Sequence, residues 1–465
     1  MRWPSASVDA RAWTVIGERL HAGEILLIAL WAEPGAAHMA ILEEDQPRLL
    51  HLACADGRFP SIGRLHSPAI RLERAMRDLA GLEAEGAPDT RPWLRHAAPY
   101  PFLPVEGESV HQIPVGPVHA GIIEPGHFRF SANGETVVRL EERLGYVHKG
   151  IDALMAGAPL ERAARLAGRV SGDSTVAYAM AFARAVEDAL GIEAPPRAVC
   201  LRALAAELER LANHLGDIGA VCNDAAFSIM HAACGLLREH VLRTSFACFG
   251  HRLMMDCVVP GGMRADLAAG GDKQVASLLA FVAARFPELV ELYENTASLK
   301  DRTVGTGILT PALAQQFAAG GYVGRASGRD FDARRAPGYA PYESLRFAVP
   351  VVHAGDVNAR VWIRVQEVEQ SLALIEQILE RLPPGPIFRT LPEKPNEGTA
   401  LVEGFRGDIF AWVRLGAGGR VERSHLRDPS WFQWPLLEAA IEGNIVADFP
   451  LCNKSFNCSY SGHDL

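Results

Sequence analysis

Two short segments, far apart in the chain, carry hydroxyl, carboxyl and thiol side chains that could bind a ligand. Residues 171–174 read Ser-Gly-Asp-Ser, and they immediately precede a helical pattern over 175–190. Because a serine hydroxyl can accept a hydrogen bond from a free amide of the first turn, Ser174 is predicted to cap that helix. Residues 448–458 form the second segment, which ends at Cys458. Taken alone, the first segment is an ordinary helix start.

Together the two segments resemble the metal-binding motifs of the large subunit of NiFe hydrogenases. That family has a Cys-Gly-x-Cys motif at the start of a core helix and an Asp-Pro-Cys-x-x-Cys motif near the C-terminus. At the matching positions this chain has Ser171, Ser174, Ser455 and Cys458, so hydroxyls replace three of the four thiols. Nickel and low-valent iron require soft, deprotonated thiolates, whereas a serine hydroxyl stays protonated near neutral pH. The resemblance therefore implies a lost nickel–iron site, and no bound metal is expected.

The same residues also resemble the quinone-site subunit of respiratory complex I. In that relative, the first segment carries a tyrosine that hydrogen-bonds the quinone headgroup, and the alignment places it at Gly172. Tyr178, further along the helix, is the nearby phenol that could replace it. The quinone-binding histidine has Ile123 or His127 as its nearest counterpart. The expected cofactor-binding positions, interpreted as degenerate metal-ligand or quinone-site positions, are Ser171, Gly172, Asp173, Ser174, Ser455 and Cys458.

Titratable residues at further family positions define a presumed polar cavity. A carboxylate beside a histidine is the usual form of a proton relay, because exclusion of water brings the pKa of the carboxyl towards neutral pH. Glu124 and Asp224 are the favoured relay groups, although Asp224 is equally consistent with a helix cap. The full set of expected catalytic residues is Glu124, His127, Asp224, His119, Arg264 and Tyr178.

The composition is that of a well-packed protein with more than one core. The chain has 465 residues, of which 49% are hydrophobic and 22% charged, and its net charge is -9. The negative charge argues against nucleic acid as a partner, and no apolar run is long enough to span a bilayer. The eight cysteines are scattered without a Cys-x-x-Cys pair, which indicates reduced, mostly buried thiols.

The chain is predicted to divide into a small α+β domain (1–85), a linker rich in Pro, Ala and Gly (86–110) and a large domain (111–465). The predicted helix at 68–82 resembles the signature helix of a small complex I peripheral-arm subunit, which is fused ahead of the large subunit in formate hydrogenlyase-type hydrogenases. The alternative is a surface helix that carries charge pairs. The segment 113–151 resembles the start of membrane-bound hydrogenase large subunits and of their complex I counterpart.

Hydrophobic periodicity and turn signals indicate a large domain that is mainly helical, with a bundle core. The predicted helices lie at 151–168, 175–190, 198–219, 231–256, 273–299 and 360–381. The predicted strands lie at 24–31, 48–54, 113–119, 124–130, 136–140 and 400–423. The expected fold class is α+β. It combines a mainly helical core like that of hydrogenase large subunits, with peripheral small sheets, and the small N-terminal α+β domain.

The resemblance implies a large subunit of a membrane-associated, hydrogenase-related or complex I-like NADH/quinone-type oxidoreductase complex. Such a subunit would take part in electron transfer coupled to proton translocation, at the cytoplasmic face of the plasma membrane. Its expected partners are a small subunit that carries an iron–sulfur cluster and antiporter-like membrane-arm subunits, with quinone as a candidate ligand. The alternative is a non-catalytic scaffold or assembly subunit. A quinone site predicts a long, partly apolar cavity between the strand turn and Gly172, whereas a scaffold predicts that side chains fill it.

Overall fold

The computed structural model describes residues 3–94, 99–121 and 123–465, and its elements confirm the expected fold class. Part of the predicted linker, residues 95–98, lies outside the described residues. The N-terminal elements are β1 (Ser5–Val8), α1 (Ala10–His21), β2 (Leu26–Glu33), β3 (Ala36–Glu43), β4 (Gln46–Ala53), β5 (Arg58–Pro60), α2 (Ile70–Ala80) and β6 (Glu83–Glu85). Four strands form one sheet in the order β1-β4-β3-β2, in which β1 pairs with β4 in parallel and the other pairs are antiparallel.

Helix α2 keeps charged residues inside the fold, contrary to the surface-helix alternative. The Glu73 carboxylate accepts hydrogen bonds from the amides of Ile62 at 2.6 Å and Gly63 at 3.0 Å. Because burial withdraws this carboxyl from water, its pKa is raised to about 7 despite those hydrogen bonds. The neighbouring Arg74 is also buried, and its guanidinium lies 3.0 Å from the Asp89 carboxylate. Helix α2 is therefore an internal helix that holds the segment after it.

A three-stranded antiparallel sheet in the order β7-β8-β9 follows, and two short helices come after it. These elements are β7 (Val110–Val115), β8 (His127–Asn133), β9 (Thr136–Arg143), α3 (Ile151–Met155) and α4 (Leu160–Ala167). The hairpin turn at Asn133 and Gly134 is confirmed, with Gly134 at a φ of 58°. The single helix predicted over 151–168 is wrong. The chain leaves the helical conformation before Pro159, which precedes the first residue of α4.

Long helices form the centre of the large domain, as the periodicity predicts. The elements are α5 (Thr175–Leu190), α6 (Pro196–Asp224), α7 (Ser228–Phe249), β10 (Val258–Val259), β11 (Gly262–Met263), α8 (Gly271–Asn295), α9 (Ala297–Thr303), α10 (Pro311–Gln316), α11 (Gly321–Ala326) and α12 (Val357–Glu380). Helix α5 has its predicted bounds, because Gly191 ends it in the left-handed conformation and Pro196 then starts α6. Helix α6 lies between α7 and α12.

The C-terminal part contributes a second three-stranded antiparallel sheet, in the order β12-β13-β14, and three helices. These elements are β12 (Asn396–Gly404), β13 (Gly407–Leu415), β14 (Val421–Arg427), α13 (Ser430–Ile441), α14 (Phe449–Phe456) and α15 (Tyr460–Asp464). Helix α5 packs against β12 and β13, which brings the β12–β13 turn close to the first motif segment. Within the described ranges, none of the helices combines the length and the apolar composition that a bilayer crossing requires.

Candidate functional site

Helix α5 starts directly after the first motif segment, and a distant carboxylate supplies its cap. Ser174 makes no hydrogen bond to a helix amide, so the predicted serine cap is wrong. The amides of Val176 and Ala177 instead donate to the two carboxyl oxygens of Glu209 on α6, at 2.7 and 3.0 Å. Burial raises the pKa of Glu209 to about 8, although both amides favour its ionised form. The start of α5 is therefore fixed by α6.

An ion pair between Asp173 and Arg406 joins the first motif segment to the β12–β13 turn. Two guanidinium nitrogens lie 2.7 and 2.5 Å from the two carboxyl oxygens, which is bidentate geometry. The same guanidinium donates through Nε to the carbonyl of Asn457, in the second motif segment, at 2.5 Å. We call Asp173, Arg406 and Asn457 the guanidinium clamp. One cation thus holds the two motif segments together.

The two charged members of the clamp differ in their exposure to water. The Arg406 side chain is 5% exposed, whereas the Asp173 side chain is 37% exposed. Partial burial opposes ionisation of Asp173, but the guanidinium outweighs it and holds the pKa of that carboxyl below its usual value. The carboxylate of Asp173 is therefore ionised at neutral pH. Arg406, which is shielded from water, depends on this negative charge to balance its own positive charge.

A pair of buried serines forms a second link between the first motif segment and the C-terminus. Ser171 Oγ lies 2.9 Å from Ser459 Oγ. Because Ser171 donates its own proton to an Asp173 oxygen at 2.8 Å, Ser459 is the donor within the serine pair. Ser459 Oγ also accepts from the amide of Gly462 at 2.9 Å. The hydroxyl at position 171 is thus engaged in holding the segment that leads into α15.

The second motif segment offers neither a free hydroxyl nor a thiolate. Ser455 Oγ donates to the carbonyl of Cys452 at 2.6 Å and accepts from Nε of the buried Arg360 at 2.9 Å. Cys458 is buried, and burial raises the pKa of its thiol well above its usual value. A thiol in that state stays protonated at neutral pH and is a poor ligand for a soft metal. The residues present therefore do not fit a nickel–iron centre.

The expected relay residue Glu124 lies at the surface of the protein. Its side chain is exposed, and its carboxylate accepts a hydrogen bond from the amide of Ser461 at 2.9 Å. The expectation that water is excluded from Glu124 is therefore wrong. Asp224, the last residue of α6, is half-buried, and burial raises the pKa of its carboxyl in the expected direction. Of the two carboxylates, Asp224 is the one that is partly shielded from water.

Of the two expected catalytic histidines, His119 lies in the connection between β7 and β8, and His127 is the first residue of β8. His119 Nε2 is 3.4 Å from the hydroxyl of Tyr460, and burial lowers the pKa of its ring. His127 Nδ1 is 3.3 Å from the carbonyl of Gly116, while its buried Nε2 has no hydrogen-bond partner among the described residues. Burial lowers the pKa of His127 as well, so both rings are neutral above slightly acidic pH.

Tyr178 and Arg264, the remaining expected catalytic residues, lie in contrasting surroundings. Tyr178 is fully buried, and its hydroxyl donates to an Asp428 oxygen at 2.6 Å. Burial raises the pKa of this phenol well above its usual value, so the hydroxyl serves as a fixed donor inside the core. Arg264 has a half-exposed side chain, and its guanidinium lies 4.0 Å from the Glu161 carboxylate on α4. Because its hydroxyl is held by Asp428 inside the core, Tyr178 does not replace the quinone-binding tyrosine.

The start of α15 fills the space between the β7–β8 turn and Ser171. The Tyr460 ring lies against Gly126, where a Cβ atom would be 2.6 Å from its edge. The neighbouring Ser459 and Ser461 bond to the first motif segment and to the turn, respectively. Gly172 behaves differently, because it is exposed and a Cβ there would meet no atom within 4 Å. The interior of the expected cavity is therefore occupied, and open space remains at Gly172.

Comparison with known proteins identifies a family and individual proteins that this chain resembles. A family model described as "Respiratory-chain NADH dehydrogenase, 49 Kd subunit" matches residues 224–396. Formate hydrogenlyase subunit 5 of Escherichia coli is 31% identical over 438 residues, which cover 87% of this chain and 77% of that protein. One subunit of the NADH-quinone oxidoreductase of Roseiflexus is 30% identical over 352 residues, which cover 72% of this chain and 94% of that protein.

A solved structure shares the fold as well. It is that of the membrane-bound sulfane sulfur reductase, an archaeal respiratory membrane complex. One of its chains aligns with a TM-score of 0.73 and 26% identity, over 78% of this chain and 100% of that chain. The chain belongs to the family of hydrogenase large subunits and respiratory-chain 49 kDa subunits. The expected family is thereby confirmed.

Sequence reasoning identified the two motif segments of this member of the 49 kDa and hydrogenase large-subunit family, but it missed the residues that join them. Arg406 lies in the β12–β13 turn, within the region that the sequence predicts as strands, and none of the expected site residues lies there. Asn457 and Ser459 flank Cys458, the one thiol at a matching position of the metal-binding motifs. The signal that could have identified Arg406 is a cationic side chain in a glycine-flanked turn, because such a turn exposes its central side chains to a neighbouring element.

Proposed function

We propose that this chain is the large subunit of a membrane-associated respiratory oxidoreductase complex of the hydrogenase and NADH dehydrogenase type, without a nickel–iron site of its own. The observation that carries the proposal is the alignment over the whole of one chain of a respiratory membrane complex. The guanidinium clamp supports the second half of the proposal. It joins the two motif segments through Arg406 where a metal centre would need thiolates from both.

Two features support quinone as a ligand that this subunit could still bind. The Nε2 atom of His127 is buried without a hydrogen-bond partner in the described part of the chain. Because Nδ1 donates to the carbonyl of Gly116, Nε2 of the neutral ring is an acceptor, which can take a hydrogen bond from the hydroxyl of the reduced quinone. Open space lies at Gly172, the position to which the resemblance assigns the quinone-binding tyrosine. Since the start of α15 fills the space between the β7–β8 turn and Ser171, His127 and Gly172 are two separate places at which a quinone could be held.

The proposed partners are an iron–sulfur small subunit and antiporter-like membrane-arm subunits, and the proposed location is the cytoplasmic face of the plasma membrane. In such an assembly, electrons would pass through the cluster of the small subunit. This chain would supply the surface that holds that subunit and the titratable groups, such as Asp224, that exchange protons with the site.

Purification through an affinity tag tests the proposal directly. The tagged chain, expressed at its native level, should be recovered from detergent-solubilised membranes together with an iron–sulfur protein and membrane-embedded subunits. Mass spectrometry of the intact assembly gives its composition, and an untagged strain is the matched control. Recovery of the chain only from the membrane-free fraction, without other subunits, would contradict the proposal.

A non-catalytic scaffold is the second candidate function, and the position of Ser459, Tyr460 and Ser461 favours it. These residues fill the interior of the expected cavity, which is what a scaffold predicts. Asp224→Asn separates the two functions, because it removes a titrating group and retains its size. If Asp224 relays protons in a rate-limiting step, acceptor-linked activity of the membranes should fall by about 10²-fold or more.

The control for that experiment is Glu135→Gln, a substitution of an exposed carboxylate in the β8–β9 turn. It removes the same kind of charge outside the site and should leave the activity unchanged. Glu124→Gln belongs in the same series, and because Glu124 is exposed we expect a smaller loss than for Asp224→Asn. Activity at the level of the unmodified membranes in all three variants would favour the scaffold.

A further inference from the structure

Eight ionisable side chains form one continuous network of ion pairs in the core, next to the motif segments. All of them are buried, with at most 2% of any residue exposed. We call this set the buried charge cluster. Its members are Glu207, Arg210 and His214 on α6, Arg325 on α11, Asp332 and Arg334, Glu367 on α12, and Glu403 on β12. The turn that follows Glu403 holds Arg406, so the cluster and the guanidinium clamp share one turn.

Arg325 contacts three of the four carboxyl groups of the cluster. Its guanidinium lies 2.5 Å from Glu367, 3.0 Å from Glu403 and 3.5 Å from Asp332. Arg334 gives Asp332 a second partner at 2.6 Å. Because these side chains are shielded from solvent, each charge must be compensated inside the cluster.

Arg210 and Arg334 complete the network around Glu207. Arg334 lies 3.0 Å from Glu207, and Arg210 lies 3.4 Å from Glu207 and 3.6 Å from Glu367. His214 Nε2 is 2.6 Å from Glu367. Each of Asp332, Glu207 and Glu367 therefore contacts two guanidinium groups.

Glu403 differs from the other three carboxyl groups in having a single cationic partner. Among the described residues, Arg325 is the one guanidinium within 4.0 Å of it. Its other oxygen accepts a hydrogen bond from the amide of Ala333 at 3.0 Å. Of the four buried carboxyl groups, Glu403 is therefore the one whose negative charge is least balanced by neighbouring cations.

The charges that face Glu403 from neighbouring elements do not change this imbalance. They are Asp332, Asp408 on β13, Arg210 on α6 and Arg329. The two acids oppose ionisation of Glu403, and the two guanidinium groups favour it from beyond contact distance. Burial, followed by repulsion from Asp332, outweighs the attraction of Arg325 and raises the pKa of Glu403 to about 7.

The net charge of the cluster also indicates a proton on Glu403. Four carboxylates and three guanidinium groups leave one excess negative charge, which one additional proton would neutralise. His214 is the other group that could take this proton. Its Nδ1 is buried without a hydrogen-bond partner in the described part of the chain, so a doubly protonated ring would bury an unpaired N–H donor. A neutral ring that donates from Nε2 to Glu367 avoids that cost.

We propose that the buried charge cluster is a proton-binding site, which holds one exchangeable proton on the carboxyl group of Glu403. Its ligand is the proton itself, and the proposal requires neither a quinone nor an electron-transfer partner. Arg210 donates to the carbonyls of Glu403 at 2.8 Å and of Gly404 at 3.1 Å, in the turn that leads to Arg406. A change of charge at the clamp and a change of protonation at Glu403 therefore act on the same turn.

The pH dependence of unfolding of the full-length chain tests this proposal. Between the ordinary pKa of 4.5 and about 7, the folded chain keeps a proton on Glu403 that the unfolded chain loses. Stability from this group is therefore present at low pH and lost as pH rises through that window, by about tenfold in the unfolding equilibrium constant per pH unit. Glu403→Gln is expected to remove that contribution, so its pH profile should be flatter than that of the unmodified chain.

Glu367→Gln is the matched control, because Glu367 contacts two guanidinium groups and His214. It removes a carboxylate that is ionised in the cluster, so at pH 6 it should raise the unfolding constant by about hundredfold or more. Glu403→Gln should raise it by about tenfold or less, since it replaces a neutral group. Equal pH profiles for Glu403→Gln and the unmodified chain would overturn the proposal. So would a Glu403→Gln chain that is as unstable as Glu367→Gln, or that fails to fold, at pH 6.

Discussion

Removal of the acid of the guanidinium clamp should destabilise the protein more than removal of the base. Arg406 is buried, so Asp173→Asn leaves a guanidinium in the core without its ion-pair partner. Arg406→Met leaves a carboxylate whose side chain is 37% exposed and can be hydrated. The unequal exposure of the two partners, and not the strength of their contact, sets the direction of this prediction.

The expected losses follow from the contacts of each residue. Loss of one partner from a fully buried ion pair costs about 3 kcal/mol of unfolding free energy or more. Because water reaches Asp173, we expect a loss of about 2–3 kcal/mol for Asp173→Asn. Arg406→Met removes the hydrogen bonds to Asp173 and to the Asn457 carbonyl, and it should cost about 1–2 kcal/mol. The double variant should cost no more than Arg406→Met alone, because it leaves no charge without compensation.

Denaturant unfolding of the full-length chain, followed by circular dichroism, gives the three free energies. The surface pair Glu161 and Arg165 on α4 is a suitable control, since both side chains are at least half exposed. Substitution of either should change the stability by less than about 1 kcal/mol. An Arg406→Met loss that equals or exceeds the Asp173→Asn loss would refute the reasoning, as would a double variant with the sum of both losses.

Three further predictions concern the surroundings of the clamp. Gly172→Ala should leave stability within about 0.5 kcal/mol, whereas Gly462→Ala, whose added methyl would meet a buried carboxylate, should lower the melting temperature markedly. Ser171→Ala should cost about 1 kcal/mol in chemical denaturation, because it removes the hydrogen bond to Ser459; an unchanged midpoint would show that this bond is dispensable. Glu209→Gln should weaken the loss of stability that the unmodified chain shows as pH rises from 4.5 towards about 8, since the raised pKa of this carboxyl favours the folded state at low pH. Measuring the unfolding free energy of both chains as a function of pH would detect this difference. Identical pH dependence in the two chains would contradict the prediction.

Sequence reasoning recovers most of the fold because its signals are local. The bounds of α5 follow from Gly191 and Pro196, and the β8–β9 hairpin follows from Asn133 and Gly134, within a few residues of the elements that they end or join. The break between α3 and α4 was missed at Pro159, because alanine-rich sequence on both sides kept the helical periodicity. The two predicted domain boundaries remain predictions.

The candidate site was predicted less completely, because its contacts join residues that are distant in the chain. The resemblance identified the two motif segments, but not the Arg406 side chain that connects them. The sequence also does not show which carboxyl groups are exposed to solvent. Glu124 is exposed and Asp224 is partly shielded from water, although nothing in the sequence separates them. Ser174 fits every local rule for a helix cap, yet Glu209 from α6 takes that role. Where two side chains could cap the same helix, tertiary packing determines which of them does so.

The metal content of the purified assembly tests the central claim most directly. The chain would be isolated through an affinity tag from cells grown with nickel, together with the subunits that accompany it, and nickel would be measured per mole of this chain. Ser171, Ser174 and Ser455 lack the thiols that a nickel–iron centre needs, and the thiol of Cys458 is protonated, so we predict nickel far below one atom per chain. Iron should be present in the amount that the accompanying iron–sulfur subunit carries. One nickel atom per chain would contradict the account.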